Sequence, residues 1–391
     1  MTPTATPQSP APLAEASAPF AEVDIGPNRI ALLRDGGQAF PAMLAAIAAA
    51  RSTICFESYI YREDATGQRF AAALCERARA GVEVSLLVDE WGSTLSADFV
   101  HKLHVAGVRT LQFSPVLNWR VFGRLFARLH RRNHRKALVI DGSVAFTGGL
   151  NVSNDYASVA DGGRGWRDTH VRIAGPAAVD LERMFLETWR KNRGAPLTDG
   201  RYHHPPTAAD PRVRIVGNEF RKDRKDIRKA YVKAIQGAKR RVHLTNSYFL
   251  PPARLMHELQ RAARRGVEVS VILAGTTDVW LVRLASRGIY GKLLRSGVKV
   301  YEWTGRVLHA KTAVVDGSWS TVGSANLDAL SLRANLEVNA VFVDEKLGAA
   351  VESMFAQDLA LCENITLEVW KRRPWTVRIL SWLAFQLRAW L

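Results

Sequence analysis

A motif that occurs twice limits what this chain of 391 residues can fold into. Both copies read H-x-K-x(4)-D-x(6)-G-[GS]-x-N, and in each the asparagine follows the histidine by seventeen residues. Equal spacing in two distant places indicates an internal duplication. The polar residues of the two copies are His134, Lys136, Asp141 and Asn151, and His309, Lys311, Asp316 and Asn326.

The run between each lysine and aspartate is apolar and β-branched, which predicts a buried strand. Side chains two positions apart on a strand share a face, so each histidine is expected to point the same way as its lysine. Asp141 and Asp316 stand at odd spacing and are expected to face away. We group them with the catalytic residues as members of the motif, although a turn or a buried hydrogen bond is favoured over direct catalysis.

The repeat extends beyond the motif. The run ARAGVEVS at 78–85 matches ARRGVEVS at 263–270, and its glycines, Gly81 and Gly266, predict equivalent helix ends before equivalent strands. Strands that alternate with helices predict an α/β fold in which helices cover a sheet on both faces.

A chain of this length exceeds one ordinary core, which predicts two domains. The start of the chain is mostly Ala, Pro, Thr and Ser and is expected to be disordered, while a Pro- and Gly-rich stretch indicates a linker. The predicted boundaries are 1–20 for the tail, 21–193 for the first repeat, 194–212 for the linker, 213–369 for the second repeat and 370–391 for a C-terminal helix.

Two segments are predicted to be basic amphipathic helices. The insertion at 114–133 has no counterpart in the second repeat, and it sets arginines opposite Val, Phe and Leu side chains. The segment at 370–391 joins a Lys-Arg-Arg cluster to an apolar, Trp-rich run that includes Trp375 and Trp382. Both favour a role at a membrane surface, and the alternative is that each helix packs on the protein.

The formal net charge of +17 implies an anionic partner, and nucleic acid and acidic lipid both qualify. Aromatic residues gather in the amphipathic stretches rather than along a basic groove, which favours lipid. The three cysteines include no C-x-x-C pair, so neither a zinc site nor a disulfide framework is implied. No uncharged apolar run reaches the roughly 18 residues of a spanning helix, so we expect a protein that is soluble or bound to a surface.

Two histidines, two lysines and two asparagines that converge would form a site for a phosphodiester. The lysines and asparagines can bind the non-bridging oxygens and the charge that builds on them. One imidazole can attack phosphorus and form a phosphohistidine. The other can protonate the leaving alcohol and then deprotonate the incoming one. The lysines supply the positive charge, so neither a metal nor another cofactor is expected.

Each histidine also needs a partner that holds its tautomer. Glu337 lies in a strand-like segment after the second motif, and Asp168 lies at the nearest equivalent place after the first. We predict that Glu337 orients His309 and that Asp168 orients His134.

These residues resemble the signature of the phospholipase D superfamily, over nearly the whole chain from about Ala21. The runs SYIYREDATG, WRDTHVRIAGP and VGSANLDALSLRANLEVN resemble bacterial cardiolipin synthases of the short type. The resemblance implies two pseudo-twofold-related α/β/α repeats, each a mixed sheet flanked by helices, with one active site at their interface. It implies that the substrate phosphate is bound by Lys136, Lys311, Asn151, Asn326 and Ser324. Gly149 stands where the first copy would often carry that serine.

The resemblance also implies phosphatidyl transfer between two phosphatidylglycerol molecules with release of glycerol, with His134 as nucleophile and His309 as acid and base. The reverse assignment of the histidines fits a pseudo-twofold site as well, and the alternative functions are a phospholipid-hydrolysing phospholipase D or a nuclease. The expected partners are anionic phospholipids, phosphatidylglycerol and cardiolipin, at a membrane surface and without nucleic acid. The expected place is the cytoplasmic side of a bacterial inner membrane, bound peripherally, and no oligomer is required to build the site.

Overall fold

The computed structural model describes residues 19–113, 132–198, 201–202, 210–218, 226–277 and 279–386. The predicted tail, apart from its last two residues, and the predicted insertion at 114–133, apart from Arg132 and Asn133, lie outside the described residues. The same holds for parts of the predicted linker and for 387–391 of the predicted C-terminal helix.

The first half of the chain alternates strands and helices, and polar side chains fix where its helices begin. Asp35, Asp64 and Ser96 each accept a hydrogen bond from the backbone N–H three residues later. The elements are β1 (Val23–Ile25), β2 (Asn28–Leu33), α1 (Gly36–Ala49), β3 (Thr53–Ser58), α2 (Ala65–Arg79), β4 (Glu83–Asp89), α3 (Ala97–Val105), β5 (Arg109–Phe113), β6 (Ala137–Ile140), β7 (Val144–Gly148), β8 (His170–Ala174) and α4 (Ala178–Lys191).

The second half repeats this order from β2 onward, with additional short helices within it, and continues past its last equivalent helix with a strand and two further helices. Asp328 and Asp344 cap two of its helices in the same way as the aspartates of the first half. The elements are β9 (Val213–Asn218), α5 (Asp226–Gly237), β10 (Arg241–Asn246), α6 (Ala253–Arg264), β11 (Glu268–Ala274), α7 (Trp280–Arg287), α8 (Tyr290–Arg295), β12 (Lys299–Trp303), β13 (Lys311–Val315), β14 (Trp319–Gly323), α9 (Ala329–Arg333), β15 (Glu337–Val343), α10 (Glu345–Leu359), β16 (Cys362–Ile365), α11 (Leu367–Lys371) and α12 (Trp375–Gln386).

Each half forms a mixed sheet, as the α/β interpretation predicts. The first sheet has the order β1-β2-β8-β7-β6-β3-β4-β5, and the second, read from the matching edge, has the order β9-β15-β14-β13-β10-β11-β12-β16. β3, β4 and β5 pair in parallel, as do β10, β11 and β12, and the motif strands β6 and β13 pair antiparallel to both neighbours. Apart from β1 and β16, the strands of the two sheets correspond one for one.

Glycines in the left-handed region end equivalent helices in the two halves. Gly81 and Gly266, both with φ of +88°, follow α2 and α6 and precede β4 and β11. Only glycine adopts this backbone conformation without strain from a Cβ atom. The helix ends predicted at these two positions are therefore confirmed.

Two apolar clusters are shared between the halves. One joins Ile173 of β8 to Phe342 of β15 and Met354 of α10, and the other joins Trp189 of α4 to Val338 of β15. Packed side chains of this kind leave little freedom of movement. The two halves are therefore held in one arrangement, and side chains from both can form a common site.

The motif aspartates build turns at the far end of the motif strands. Asp141 has a φ of +50°, and its carboxylate accepts the N–H groups of Arg51, Ser52 and Thr53 over 2.9, 2.7 and 2.8 Å. Asp316 accepts three consecutive N–H groups, from residues 239–241, in the same way. Because each histidine precedes its strand and each aspartate follows it, the aspartates lie away from the histidines. The turn role that the sequence favoured for both aspartates is confirmed, and their grouping with the catalytic residues is corrected.

We expect Asp141→Ala to lower the free energy of unfolding by about 1–3 kcal/mol, because three backbone donors lose their acceptor. The activity expected of the folded protein should change little. Denaturant unfolding and activity per folded molecule measure the two effects, with Glu76→Ala as the control because the Glu76 side chain is 71% exposed. A catalytic Asp141 would instead give a stable protein without activity.

Candidate active site

The two halves meet in a pair of backbone crossings beside the motif histidines. The His134 N–H donates to the Leu336 carbonyl over 2.9 Å, and the Leu336 N–H donates to the Arg132 carbonyl over 2.9 Å. In the same way, the His309 N–H donates to the Arg167 carbonyl over 2.7 Å, and the Arg167 N–H donates to the Val307 carbonyl over 2.9 Å. Each histidine therefore lies next to the residue that precedes the acid of the opposite half.

These crossings bring each imidazole to the carboxylate of the other half. His134 Nδ1 lies 3.0 Å from Glu337 Oε2, and His309 Nδ1 lies 2.6 Å from Asp168 Oδ2. The predicted pairing of Glu337 with His309 and of Asp168 with His134 is wrong. In its own sheet each acid is separated from the motif strand by an intervening strand, β7 or β14. The histidine that reaches each acid therefore comes from the other half.

Both motif lysines are buried beside these histidine–carboxylate pairs. Lys136 is 2% exposed and donates to the His134 carbonyl over 2.7 Å, and Lys311 is fully buried and donates to the His309 carbonyl. Lys136 Nζ lies 4.9 Å from the centroid of the Tyr59 ring, and the His134 ring lies 4.7 Å from the same centroid. The imidazole and the ammonium of the first motif therefore share a face, as predicted.

The motif asparagines are anchored through their side-chain oxygens. Asn151 Oδ1 accepts the Ile60 N–H over 3.0 Å, and Asn326 Oδ1 accepts the Ser247 hydroxyl over 2.8 Å. The Asn151 amide donates to the Tyr156 hydroxyl over 2.7 Å. Both asparagines are nearly fully buried, so their amide groups are fixed in orientation.

Tyr156 is a site residue that the sequence analysis missed. Its hydroxyl lies 3.4 Å from His309 Nδ1 and links Asn151 of the first motif to the histidine of the second. The motif spacing places Ser331 at the equivalent position of the second repeat. With no counterpart in the repeat, Tyr156 carried no signal that could have identified it.

More aromatic rings lie close to His309 than to His134 among the described contacts. The rings of Tyr156, Trp166 and Tyr248 lie 5.5, 6.4 and 6.3 Å from the His309 ring. The described contacts of His134 include a single aromatic ring of this kind, that of Tyr59. The environments of the two imidazoles therefore differ although the motifs match.

Ser324 and Gly149, equivalent positions in the two motifs, hold the two carboxylates differently. The Ser324 hydroxyl donates to Glu337 Oε2 over 2.5 Å and accepts the Val338 N–H over 3.0 Å. The expected contact of Ser324 with the substrate phosphate does not fit this arrangement, because the Ser324 hydroxyl already donates its hydrogen bond to Glu337. At Gly149 a Cβ atom would come within 2.0 Å of Asp168 Oδ1, so the Asp168 carboxylate occupies the space that a serine would need.

Burial and neighbouring charges set the ionisation of the first histidine–carboxylate pair. Burial lowers the pKa of His134, against the opposing effect of Glu337. Burial would raise the pKa of Glu337, but the contact with His134, and Lys136 and Ser324 after it, brings this pKa below its usual value. Near neutral pH, a neutral imidazole thus faces an ionised carboxylate, and the Nδ1–H of His134 donates to Glu337.

The other shifts also follow from burial. Burial lowers the pKa of Lys136 to about 7, and Lys311 adds to this effect while Glu337 opposes it. Burial raises the pKa of Asp168 to about 6, against the opposing effect of Lys311. Because the charge of Lys311 opposes the ionisation of the buried Lys136 ammonium, an anion bound beside both lysines would be stabilised.

The arrangement offers chemistry for a phosphate diester. One imidazole has a free Nε2 lone pair for attack on phosphorus, the other can donate or accept a proton, and the lysines can neutralise the phosphate. Among the described residues, no cluster of three or more His, Cys, Asp or Glu side chains could hold a metal ion.

Comparison with known proteins gives consistent matches. The family model described as cardiolipin synthase, PLD-like domain, matches residues 43–189 and 231–359. Cardiolipin synthase B of Shigella flexneri is 37% identical over 363 residues, which cover 92% of this chain and 87% of that protein. The major cardiolipin synthase ClsA of Bacillus subtilis is 33% identical over 356 residues, which cover 90% of this chain and 73% of that protein.

The fold also matches a solved structure. The phosphatidylserine synthase of Haemophilus influenzae superposes with a TM-score of 0.74 at 14% identity, covering 95% of this chain and 97% of that chain. At this level of identity the match concerns the fold alone, and it extends over both halves of the chain.

We expect Gly149→Ala to lower turnover by about 100-fold, because a new Cβ atom would displace Asp168 from His309. Ser324→Ala removes a single hydrogen bond to Glu337 and should cost about ten-fold or less. Steady-state turnover measures both effects. Gly237→Ala is the matched control because its added Cβ would have no atom within 4 Å beyond its chain neighbours and its own helix backbone. Full activity of Gly149→Ala would contradict the tight contact with Asp168.

Proposed function

The chain belongs to the cardiolipin synthases of the phospholipase D superfamily, and we propose that it joins two phosphatidylglycerol molecules through a phosphohistidine intermediate. Membership makes it a phosphatidyltransferase that acts on phospholipids. The observation that best supports the proposed route is that each histidine contacts a carboxylate from the other half. Each imidazole is oriented by the opposite half, and both stand beside buried lysines.

In the first step, His134 acts as the nucleophile. Its Nδ1–H donates to Glu337, so the Nε2 lone pair attacks the phosphorus of one phosphatidylglycerol and forms an N–P bond. The P–O bond to the glycerol headgroup breaks, and His309 gives its Nε2 proton to the leaving oxygen. The products of this step are glycerol and a phosphatidylated His134.

In the second step, the roles of acid and base reverse. His309 Nε2, now without its proton, accepts the proton of a glycerol hydroxyl on a second phosphatidylglycerol, and that oxygen attacks phosphorus. The N–P bond breaks, the electron pair returns to His134, and cardiolipin forms. The proton that His309 gains restores its starting state, so the cycle balances without another reactant.

Lys136 and Lys311 bind the non-bridging oxygens in this proposal, together with the amides of Asn151 and Asn326. A phosphate diester carries one negative charge, and the attack adds more charge to its equatorial oxygens. Because the two ammonium groups are already desolvated, their attraction for this charge is not weakened by water.

The proposal predicts that the purified protein converts phosphatidylglycerol vesicles into cardiolipin and free glycerol in equal amounts. His134→Ala should abolish both the product and the acid-labile phosphohistidine adduct, because no nucleophile remains. Lipid chromatography and mass spectrometry of the trapped protein measure the two outcomes.

Three results would contradict parts of this proposal. Phosphatidic acid as the sole product would show that water is the acceptor. An adduct that survives His134→Ala but disappears in His309→Ala would reverse the two histidines. Activity that is lost with a chelator and restored by zinc would contradict a route that relies on lysines for positive charge.

We further propose that α12 rests on the surface of an anionic membrane. It packs on α7 through a narrow face, where Ser381 and Ala384 are buried and a Cβ at Gly288 would meet the Ser381 carbonyl at 2.7 Å. Its other face presents large apolar side chains to the outside, with Trp375 70% and Trp382 59% exposed. Helix packing and lipid contact are therefore compatible on opposite faces.

The surroundings of this face support the same interpretation. Trp280 at the start of α7 is 71% exposed, and basic residues 371–373 precede α12. Tryptophan favours the membrane interface, and each basic residue near an anionic surface adds about 1 kcal/mol. No helix within the described residues is long and apolar enough to cross a membrane. A peripheral position on the cytoplasmic side of the bacterial inner membrane, and a similar role for the insertion at 114–133, are part of this proposal.

We expect the double variant Trp375→Ala with Trp382→Ala to lose most of its flotation with phosphatidylglycerol vesicles, because two interfacial anchors are removed. The matched double variant with phenylalanine at both positions keeps the apolar area and should retain most of the binding. Flotation in a density gradient measures the bound fraction. Unchanged flotation of the alanine variant would contradict a role of α12 at the membrane.

A further inference from the structure

An ion pair across the two halves lies directly behind one of the histidine–carboxylate pairs. Arg167 of the first half, 5% exposed, donates from Nε and Nη2 to the two oxygens of Asp358 in α10 over 2.9 and 2.6 Å. The Asp358 side chain is 1% exposed. A bidentate contact of this kind fixes the plane and the position of the guanidinium group.

A second arginine of the first half completes the ion pair. Arg34 Nη2 donates to Asp358 Oδ1 over 3.0 Å, and its Nη1 donates to the neighbouring Gln357 side chain over 2.9 Å. The remaining Nη1 of Arg167 donates to the Arg34 and Asp168 carbonyls and, over 2.9 Å, to the Thr169 hydroxyl. One carboxylate of the second half thus holds two arginines and the backbone around Asp168.

The backbone of Arg167 connects this ion pair to the reacting groups. Its carbonyl accepts the His309 N–H over 2.7 Å, and the next residue, Asp168, contacts His309 Nδ1 over 2.6 Å. A shift of Arg167 would therefore move the backbone that supports His309 and the carboxylate that orients its ring.

The carboxylate of the other histidine–carboxylate pair is held differently among the described residues. The residue before Glu337 is Leu336, whose apolar side chain is unable to form an ion pair. Glu337 is instead held by the Ser324 hydroxyl over 2.5 Å, whereas the position equivalent to Ser324 in the first half is Gly149. One carboxylate is thus fixed by a local hydroxyl and the other by a remote ion pair.

We propose that the Arg167–Asp358 ion pair is a positioning device for His309 and Asp168, separate from the machinery around His134. It rests on the proposed function, in which His309 supplies the proton to the leaving alcohol. Buried ion pairs contribute little net stability compared with apolar packing, so a role in stability alone gives no reason for three charged groups here. Fixing the ring of a general acid gives such a reason, because misplacement by about 1 Å costs about 100-fold in rate.

The test uses the dependence of rate on the leaving group. Phosphatidylglycerol expels an alkoxide that needs a proton from His309, whereas a p-nitrophenyl phosphodiester expels a phenolate that needs none. We expect Arg167→Lys and Asp358→Asn to lower turnover of phosphatidylglycerol by about 10- to 100-fold. The rate of the first-turnover burst of p-nitrophenol should fall by less than about three-fold, because only the later resolution of the adduct uses His309 as a base. Two variants are used so that a failure of one to fold, seen in thermal unfolding, leaves the other to decide.

The matched control is Glu352→Gln. Glu352 also lies on α10 and pairs with an arginine over 2.9 Å, but its partner, Arg241, belongs to the same half. This variant should leave the ratio of the two rates unchanged. Equal losses with both leaving groups, or the same change of ratio in Glu352→Gln, would overturn the positioning role and leave a structural one.

The outcome is separable from that of the proposed function. If the wild-type protein releases phosphatidic acid instead of cardiolipin, transfer is refuted. The comparison of leaving groups still applies in that case, because hydrolysis and transfer expel the same glycerol.

Discussion

The active site depends on two places where a short backbone segment of one half pairs with a segment of the other half. Two pairs of main-chain hydrogen bonds, at His134 with Leu336 and at His309 with Arg167, set each imidazole beside a carboxylate of the other half. Main-chain bonds fix positions more firmly than side-chain contacts because the peptide unit has few soft torsions. The shared apolar clusters then keep the two sheets in the one arrangement that satisfies both crossings.

The site is symmetric in its motif but not in its supports. Each imidazole lies beside a carboxylate and a lysine. The pKa of Glu337 is nevertheless lowered by its neighbours, whereas burial raises the pKa of Asp168. Tyr156 and Trp166 contact only the second imidazole among the described ring contacts. These differences are a physical basis for assigning different tasks to two groups that the motif alone makes equal.

Much of the fold and part of the site could be predicted from the sequence. The motif strands, the helix ends at Gly81 and Gly266 and the duplicated sheet follow from local patterns, because period-two burial and left-handed glycines are local requirements. The pairing of acids with histidines depends on how the two halves pack together, because the packing decides which carboxylate is nearer to each histidine. A local sequence pattern holds no information about that packing. The same holds for the Ser324 contact with Glu337.

Single contacts without a repeat were the hardest to foresee. Tyr156, Arg167 and Asp358 act across the interface, and the second half has Ser331 and Leu336 where the first has Tyr156 and Arg167. A repeat in the sequence identifies the residues that both copies contain. The site also uses residues that occur in one copy alone.

The crossed carboxylates also bear on how such a chain could have arisen. One repeat by itself holds an imidazole and an acid that do not meet, so it has no complete proton-transfer unit. An ancestor with a single repeat could have satisfied both imidazoles only by associating with a second copy of itself about a twofold axis. After fusion of two such copies, each half occupies only one of the two positions. The halves could then diverge, with Gly149 and Arg167 in the first and Ser324 and Leu336 in the second.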